Sequence, residues 1–164
     1  MRRTLGVLVL ALAVLTPGTP ANAAVPEGTN VYLINGGQCL SFSAVRHTPF
    51  PARLLPCTFT PDQLWQVLDS SVTGGTQTSL LNSPPGGCLL PSSPGTRFDK
   101  VCAEPGFPDN QQFWRQQPLA PGLVQLINAG TGGALAAPST FVTMAPPDAA
   151  DPAQRWQVLP EDAV

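Results

Sequence analysis

Short apolar runs of four to six residues, bounded by Gly, Pro, Asn and Ser, recur from about residue 30 to residue 160. Runs of that length with those borders suit β-strands. In the first third of the chain they fall near 31–34, 39–43, 53–56 and 64–68. Of the 20 prolines, 18 lie beyond residue 23, and few Gly- and Pro-free windows exceed about a dozen residues. Long helices are excluded by that spacing, because an interior proline removes a hydrogen bond and clashes with the preceding turn.

The pattern also repeats. Val31-Tyr32-Leu33-Ile34-Asn35 runs into Gly36-Gly37, Ser79-Leu80-Leu81-Asn82 leads to Gly86-Gly87, and Val124-Gln125-Leu126-Ile127-Asn128 leads to Gly132-Gly133. The three asparagines are 47 and 46 residues apart. Each Gly-Gly is followed by a short apolar run, opening on Cys39-Leu40, Cys88-Leu89 or Ala134-Leu135. Each unit then closes on a Gln-x-Trp triplet: Gln63-Leu64-Trp65, Gln112-Phe113-Trp114 and Gln154-Arg155-Trp156. These triplets use all three tryptophans and lie 49 and 42 residues apart. A fixed local context at a near-fixed period indicates three copies of one unit. A large aromatic in each copy places Trp65, Trp114 and Trp156 at three equivalent points of one core. Four strands per copy give about twelve, and a sheet of that size closes or splits, which removes exposed edges. The expectation is an all-β chain with pseudo-threefold symmetry, in repeats of about 30–70, 77–117 and 122–160.

The first residues stand outside the repeat. Met1-Arg2-Arg3 is basic, 5–15 is an apolar run of 11 residues, and Ala21-Asn22-Ala23 has the small-x-small pattern of a cleavage site. That is the layout of a secretory signal peptide, too short in its apolar part to span a bilayer. Cleavage after Ala23 leaves 164 − 23 = 141 residues, 24–164, the size of a single domain. The mature charge is then 6 basic against 10 acidic residues, or −4. With no basic run left, neither a nucleic acid nor an anionic membrane surface is an expected partner.

Four cysteines suit an exported chain and allow three pairings. The repeat favours Cys39–Cys57 and Cys88–Cys102, since each pair then occupies the same place in its own copy. Metal binding is the weaker reading, because the spacings are not of the Cys-x-x-Cys kind. In the third copy the matching places are Ala134 and, by distance to the tryptophan, Met144.

Three copies of roughly 45 residues, each with an Asn-to-Gly turn, a Cys-Leu strand in two of them, and a closing Gln-x-Trp, resemble the ricin B-type β-trefoil family over about 30–160. The resemblance implies a barrel of six hairpins, three of them capping one end, and shallow sugar sites, one per repeat. It also implies a site chemistry: an acid two residues after the first Cys, an aromatic about two residues before the second, and Asn-Gln before the Trp. The acid's place holds Ser41, Leu90 and Ala136. The aromatic's place holds Leu55, Lys100 and Val142. The amide pair reads Asp62-Gln63, Gln111-Gln112 and Ala153-Gln154.

Two functions remain in view. One is a secreted lectin-type carbohydrate-binding protein with degraded sites, expected to act as a monomer. In it the first repeat is the best candidate, through Ser41, Asp62 and Gln63, with His47 or Phe50 of the 46–51 loop in place of the missing platform. A sugar's hydroxyls want a carboxylate or amide and its apolar face wants an aromatic. The other is a secreted protein-binding trefoil such as a protease inhibitor, presenting a Pro-rich loop (47–51, 91–97 or 104–110). Gln63, Gln112 and Gln154 also read as structural, as buried amides that tie one repeat's backbone to its neighbour. His47, the only histidine, reads first as a solvated loop residue. An enzyme is not expected: no Gly-x-Ser-x-Gly elbow, carboxylate pair motif, phosphate loop or metal signature is present, and no cofactor is implied.

Overall fold

The computed structural model describes residues 28–42, 52–69, 78–82, 87–91, 96–99 and 110–164. Among them lie twelve strands and no α-helix. The first four are β1 (Asn30–Asn35), β2 (Gln38–Ser41), β3 (Arg53–Pro56) and β4 (Leu64–Asp69). The next four are β5 (Thr78–Asn82), β6 (Gly87–Pro91), β7 (Thr96–Asp99) and β8 (Phe113–Ala120). The last four are β9 (Leu123–Asn128), β10 (Ala134–Ala136), β11 (Thr143–Ala145) and β12 (Trp156–Pro160).

Pairing closes six of these strands into a ring. The first and last strands of each group pair antiparallel: β1 with β4, β5 with β8 and β9 with β12. Each group joins the next through β4–β5, β8–β9 and β12–β1. The ring has no free edge, so the aggregation hazard of an open sheet is avoided. The inner strands of each group form the hairpins β2–β3, β6–β7 and β10–β11. This is a β-trefoil, the all-β, pseudo-threefold architecture expected from the repeat.

The register is the same in each copy. Val31 pairs with Trp65, Thr78 with Trp114 and Val124 with Trp156, each partner lying four residues before the repeat's asparagine. All three tryptophans are fully buried, at 0% exposure. Each indole Nε1 donates to a leucine carbonyl on its own repeat's second strand: Trp65 to Leu40 at 3.0 Å, Trp114 to Leu89 at 3.0 Å and Trp156 to Leu135 at 2.9 Å. Burial and satisfied polarity therefore coincide at one slot per repeat, the condition a buried indole needs. Around the tryptophans pack Val31, Leu33, Leu40, Leu54, Val67, Leu89, Leu126, Leu135 and Val142. On β1 Val31 and Leu33 enter the core, and on β12 Trp156 and Val158 do so, the period-two alternation of a strand.

The glycines after the first asparagine have a specific use. Asn35 pairs with Gln38, so Gly36-Gly37 is a two-residue hairpin loop. Both have positive φ, 56° and 78°, which a primed turn requires and only glycine adopts without strain. In the third repeat the turn is longer and Asn128 organises it: Oδ1 accepts from the Gly130 and Thr131 amides at 3.1 and 3.0 Å.

The asparagines also join the repeats. Asn35 Nδ2 donates to the carbonyls of Pro152 and Arg155, at 3.0 and 2.9 Å, in the third repeat. Asn128 Nδ2 donates to Gln111 and Phe113, at 2.7 and 3.2 Å, in the second. Tying one repeat to its neighbour is thus the work of Asn35 and Asn128, not of Gln63 or Gln154. Gln63 and Gln154 instead hold their own repeat's closing loop.

The Cys39–Cys57 disulfide is formed, with Cα atoms 5.0 Å apart. Cys88 is also disulfide-bonded, and Cys102, the partner expected for it, lies outside the described residues. Strand pairing corrects the matching of the third repeat. Cys39 opposes Leu55, Cys88 opposes Asp99 and Ala134 opposes Ala145. Met144 opposes Leu135 as Leu54 opposes Leu40, so Met144 is the counterpart of Leu54 and not of Cys57. The counterparts of Leu55 are Asp99 and Ala145 rather than Lys100 and Val142. Counting back from the tryptophan fails because the loop between hairpin and tryptophan differs in length between copies, as surface connections do.

Candidate functional site

Each capping hairpin presents one face to the core and one outward. In the first, Leu40 opposes Leu54 on the core side, and Ser41 opposes Arg53 on the other. Directly opposed residues of an antiparallel pair project from the same face. The same register position holds Leu90 opposite Arg97 in the second repeat and Ala136 opposite Thr143 in the third.

A tight 3-10 turn precedes each closing strand: Pro61–Gln63, Asn110–Gln112 and Pro152–Gln154. Proline opens the first and third, where its missing N–H costs nothing. In the first and third repeats the turn pins the residue before the glutamine against the hairpin. The Phe42 amide donates to the Asp62 carbonyl at 2.9 Å, and the Ala137 amide to the Ala153 carbonyl at 2.8 Å. Asp62 and Ala153 are thus true equivalents.

Only the first repeat places a carboxylate there. Ser41 Oγ donates to Asp62 Oδ2 at 2.9 Å. Ser41 is fully buried and Asp62 half-buried, so the serine orients the acid at the surface of the hairpin. In the third repeat Ala136 and Ala153 carry no polar side-chain group to repeat this pair.

Gln63 is brought beside them but is fully committed. It is 1% exposed, its Nε2 donates to Pro56 O at 2.9 Å, and its Oε1 accepts from the Thr58 and Phe59 amides at 2.9 and 3.0 Å. Gln154 does the same for its own loop. Its Nε2 donates to Pro146 O at 2.9 Å, and its Oε1 accepts from the Asp148 amide at 2.9 Å and from Gln125 Nε2 at 2.6 Å. Gln112 is buried as well. His47 and Phe50 lie outside the described residues.

The loop clasped by Gln63 carries an exposed aromatic. Phe59 has a φ of 55°, the one positive φ among described non-glycine residues. Its ring stands edge-on to Tyr32, centroids 5.1 Å apart, and the Tyr32 hydroxyl donates to the Phe59 carbonyl at 3.2 Å. Burial raises the Tyr32 pKa above its ordinary value, and the Glu161 charge adds to that.

Sequence reasoning missed a second aromatic. Phe141 is 53% exposed and lies in the loop between β10 and β11, yet it is clipped to the first repeat. Arg53 and Phe141 form an isolated antiparallel bridge, flanked by Leu54 N donating to Thr140 O at 2.7 Å and Val142 N to Ala52 O at 3.3 Å. The Arg53 guanidinium carbon lies 5.8 Å from the Phe141 ring centroid, within cation–π range. Arg53 Nε is buried with no hydrogen-bond partner. The one signal in the sequence was the lone charge in Arg53-Leu54-Leu55-Pro56, an otherwise apolar strand.

A further cleft of about 200 Å³ lies between the second and third repeats, lined by Arg115, Gln117, Ile127, Asn128, Gly132 and Pro147 among others. Among the described residues no group of three or more His, Cys, Asp or Glu is gathered to hold a metal.

No family model matches the chain, and no curated protein matches it. Solved structures share its fold. A designed three-fold symmetric protein, ThreeFoil, is 17% identical with a TM-score of 0.66, over 79% of this chain and 97% of that one. A mosquitocidal holotoxin is 13% identical with a TM-score of 0.68 over 82% of this chain, which spans 17% of the toxin. SeviL, solved bound to asialo-GM1 saccharide, is 11% identical with a TM-score of 0.64, over 81% of this chain and 98% of that one. Identities this low establish the fold, and the class they define is the β-trefoil, lectins among its members.

Proposed function

We propose that the chain is a secreted, monomeric, carbohydrate-binding β-trefoil protein of ricin B-like type. Residues 1–23 are its signal peptide, and one site is kept, on the first repeat. The observation that carries this reading is the Ser41–Asp62 pair. It sets a half-buried, oriented carboxylate on the outer side of a capping hairpin, where sugar hydroxyls can donate to it. Phe59 and Phe141 are the exposed aromatics among the described residues, and they supply apolar surface of the kind a sugar ring stacks on. SeviL, of the same fold, holds a saccharide. The first repeat is favoured over the third because Ala136 and Ala153 offer a ligand neither charge nor hydrogen bond.

With one shallow site, affinity for a simple sugar is weak, a dissociation constant near millimolar or about 4 kcal/mol. The test is titration of galactosides and glucosides against the wild type and Asp62→Ala. Saturable binding lost in Asp62→Ala is the expected result. Binding that survives Asp62→Ala and disappears on a change in the third repeat would overturn the choice of site. Silence on a glycan array together with tight inhibition of a protease would replace the lectin reading with the protein-binding one.

A further inference from the structure

We infer that the first-repeat site takes a saccharide bearing a carboxylate, with the Arg53 guanidinium as the anion's partner. The inference rests on the carbohydrate-binding reading above and names its ligand class.

Three observations converge on one small surface. Ser41 is directly opposite Arg53, and its hydroxyl is bonded to Asp62, so an acid and a cation flank the same serine. Asp62 suits the hydroxyls of any sugar. Arg53 can donate to a hydroxyl as well, but its charge and planar fork match a carboxylate best.

Among the described residues no carboxylate is paired with Arg53. Its Nε is buried with no hydrogen-bond partner there, a condition that buried polar atoms rarely tolerate. Orientation comes instead from the Phe141 ring, 5.8 Å away, on a loop fastened to β3 by the backbone bonds of Leu54 and Val142. The residue as a whole is half-buried, so a carboxylate can approach the outer edge of the guanidinium. Phe141 leaves 53% of its surface open beside it. A sugar ring lying on Phe141 would bring an attached carboxylate to Arg53 and its hydroxyls toward Asp62.

The surface spans two repeats that are distant in sequence. The second repeat has Arg97 at the place of Arg53, but opposite Leu90, and Gln111 stands where Asp62 does. In the third repeat Thr143 occupies the place of Arg53. The chain as a whole is acidic, with a formal charge of −2, so its overall field does not attract anions. A preference for an acidic sugar is therefore local in origin, and the Arg53 variants decide whether this cation supplies it.

The test uses two matched pairs of sugars that differ only at the exocyclic carbon: galactose with galacturonic acid, and glucose with glucuronic acid. Each is titrated by calorimetry or by chemical shift against the whole protein. We expect the acid of at least one pair to bind roughly tenfold tighter than its neutral partner, the scale of one charge-assisted contact. Arg53→Gln should remove that preference, so that acid and neutral sugar bind the variant equally. Phe141→Ala should weaken acid and neutral sugar together. Arg53→Lys, which keeps the charge but not the fork, should retain a reduced preference. It also serves as the second variant should Arg53→Gln fail to fold. Equal affinity within both pairs, or a preference that survives Arg53→Gln, overturns the inference and leaves the carbohydrate reading standing. No binding of any of the four, with a silent glycan array, overturns both.

Discussion

At the scale of the residue, each copy of the repeat solves one problem: how to bury polar groups without leaving them unpaired. The glutamine of Gln-x-Trp shows the solution. Gln154 spends its amide on the Pro146 carbonyl, the Asp148 amide and Gln125, all within 29 residues of chain. Replacing it by leucine would keep the volume but orphan the Gln125 amide and a backbone N–H. Each orphan costs about 1–3 kcal/mol, because a buried donor loses its water without gaining a partner. Gln154→Leu is therefore expected to lower stability by several kcal/mol in chemical denaturation while leaving the first-repeat site intact. Asp62→Ala, which removes a half-buried carboxylate and its bond from Ser41, should cost about 1 kcal/mol by the same measurement. A larger loss from Asp62→Ala than from Gln154→Leu would reverse the assignment of structural and ligand-facing roles.

At the scale of the element, the capping hairpins differ in how they are held. In the first, the Cys39–Cys57 bond closes 18 residues and joins the first residues of β2 to the chain just beyond β3. The third has Ala134 at the place of Cys39 and relies on apolar packing of Leu135 and Met144 against the core. In the chain-entropy view a loop of that length is worth about 3 kcal/mol, so Cys39→Ala with Cys57→Ala should lower stability by that order. Loss of the sugar site along with it would show that the bond also positions the Ser41–Arg53 face. Elements of this kind were legible in the sequence because they recur: the Asn, the Gly-Gly turn and the Trp each appear three times at the same register. What occurs once was not legible. Arg53 meets Phe141 across 141 − 53 = 88 residues, and no local pattern encodes a contact between a strand of one repeat and a loop of another. The place of Cys57 in the third copy was misread for a related reason, since a loop of variable length separates it from the tryptophan that anchors the count. Ser41 and Asp62 were legible as a pair through the resemblance, but that Ser41 is wholly buried and acts through Asp62 needed the three-dimensional arrangement.

At the scale of the whole molecule, the trefoil depends on closing its ring, and the closure falls where the first strand meets the last. Val31 to Ile34 pair with Pro160 to Gln157 along that seam. Asn35 reaches across it to the carbonyls of Pro152 and Arg155, and Asn30 Nδ2 donates to Glu161 Oε2 at 2.8 Å. Tyr32 sits in the middle of it, opposite Leu159, 3% exposed, with its hydroxyl given to the Phe59 carbonyl. Burial first, and the Glu161 charge second, raise its pKa above the ordinary 10.0. The sign of the linkage follows. Between the unfolded pKa and the raised folded one, the folded chain keeps a proton that the unfolded chain has released, so stability falls as pH rises through that window. Below about pH 10 the group is neutral in both states and contributes no pH dependence. Tyr32 is the chain's one tyrosine, so the ultraviolet band of tyrosinate reads it alone. Titration should show ionisation above the free-tyrosine range in the folded protein and a return to that range in denaturant. Midpoints of denaturation should decline only in the alkaline window where the two differ. Tyr32→Phe should flatten that decline, at the cost of the bond to Phe59. An unshifted tyrosinate titration in the folded state would mean that the seam is open to water and the ring less tightly closed than its pairing indicates.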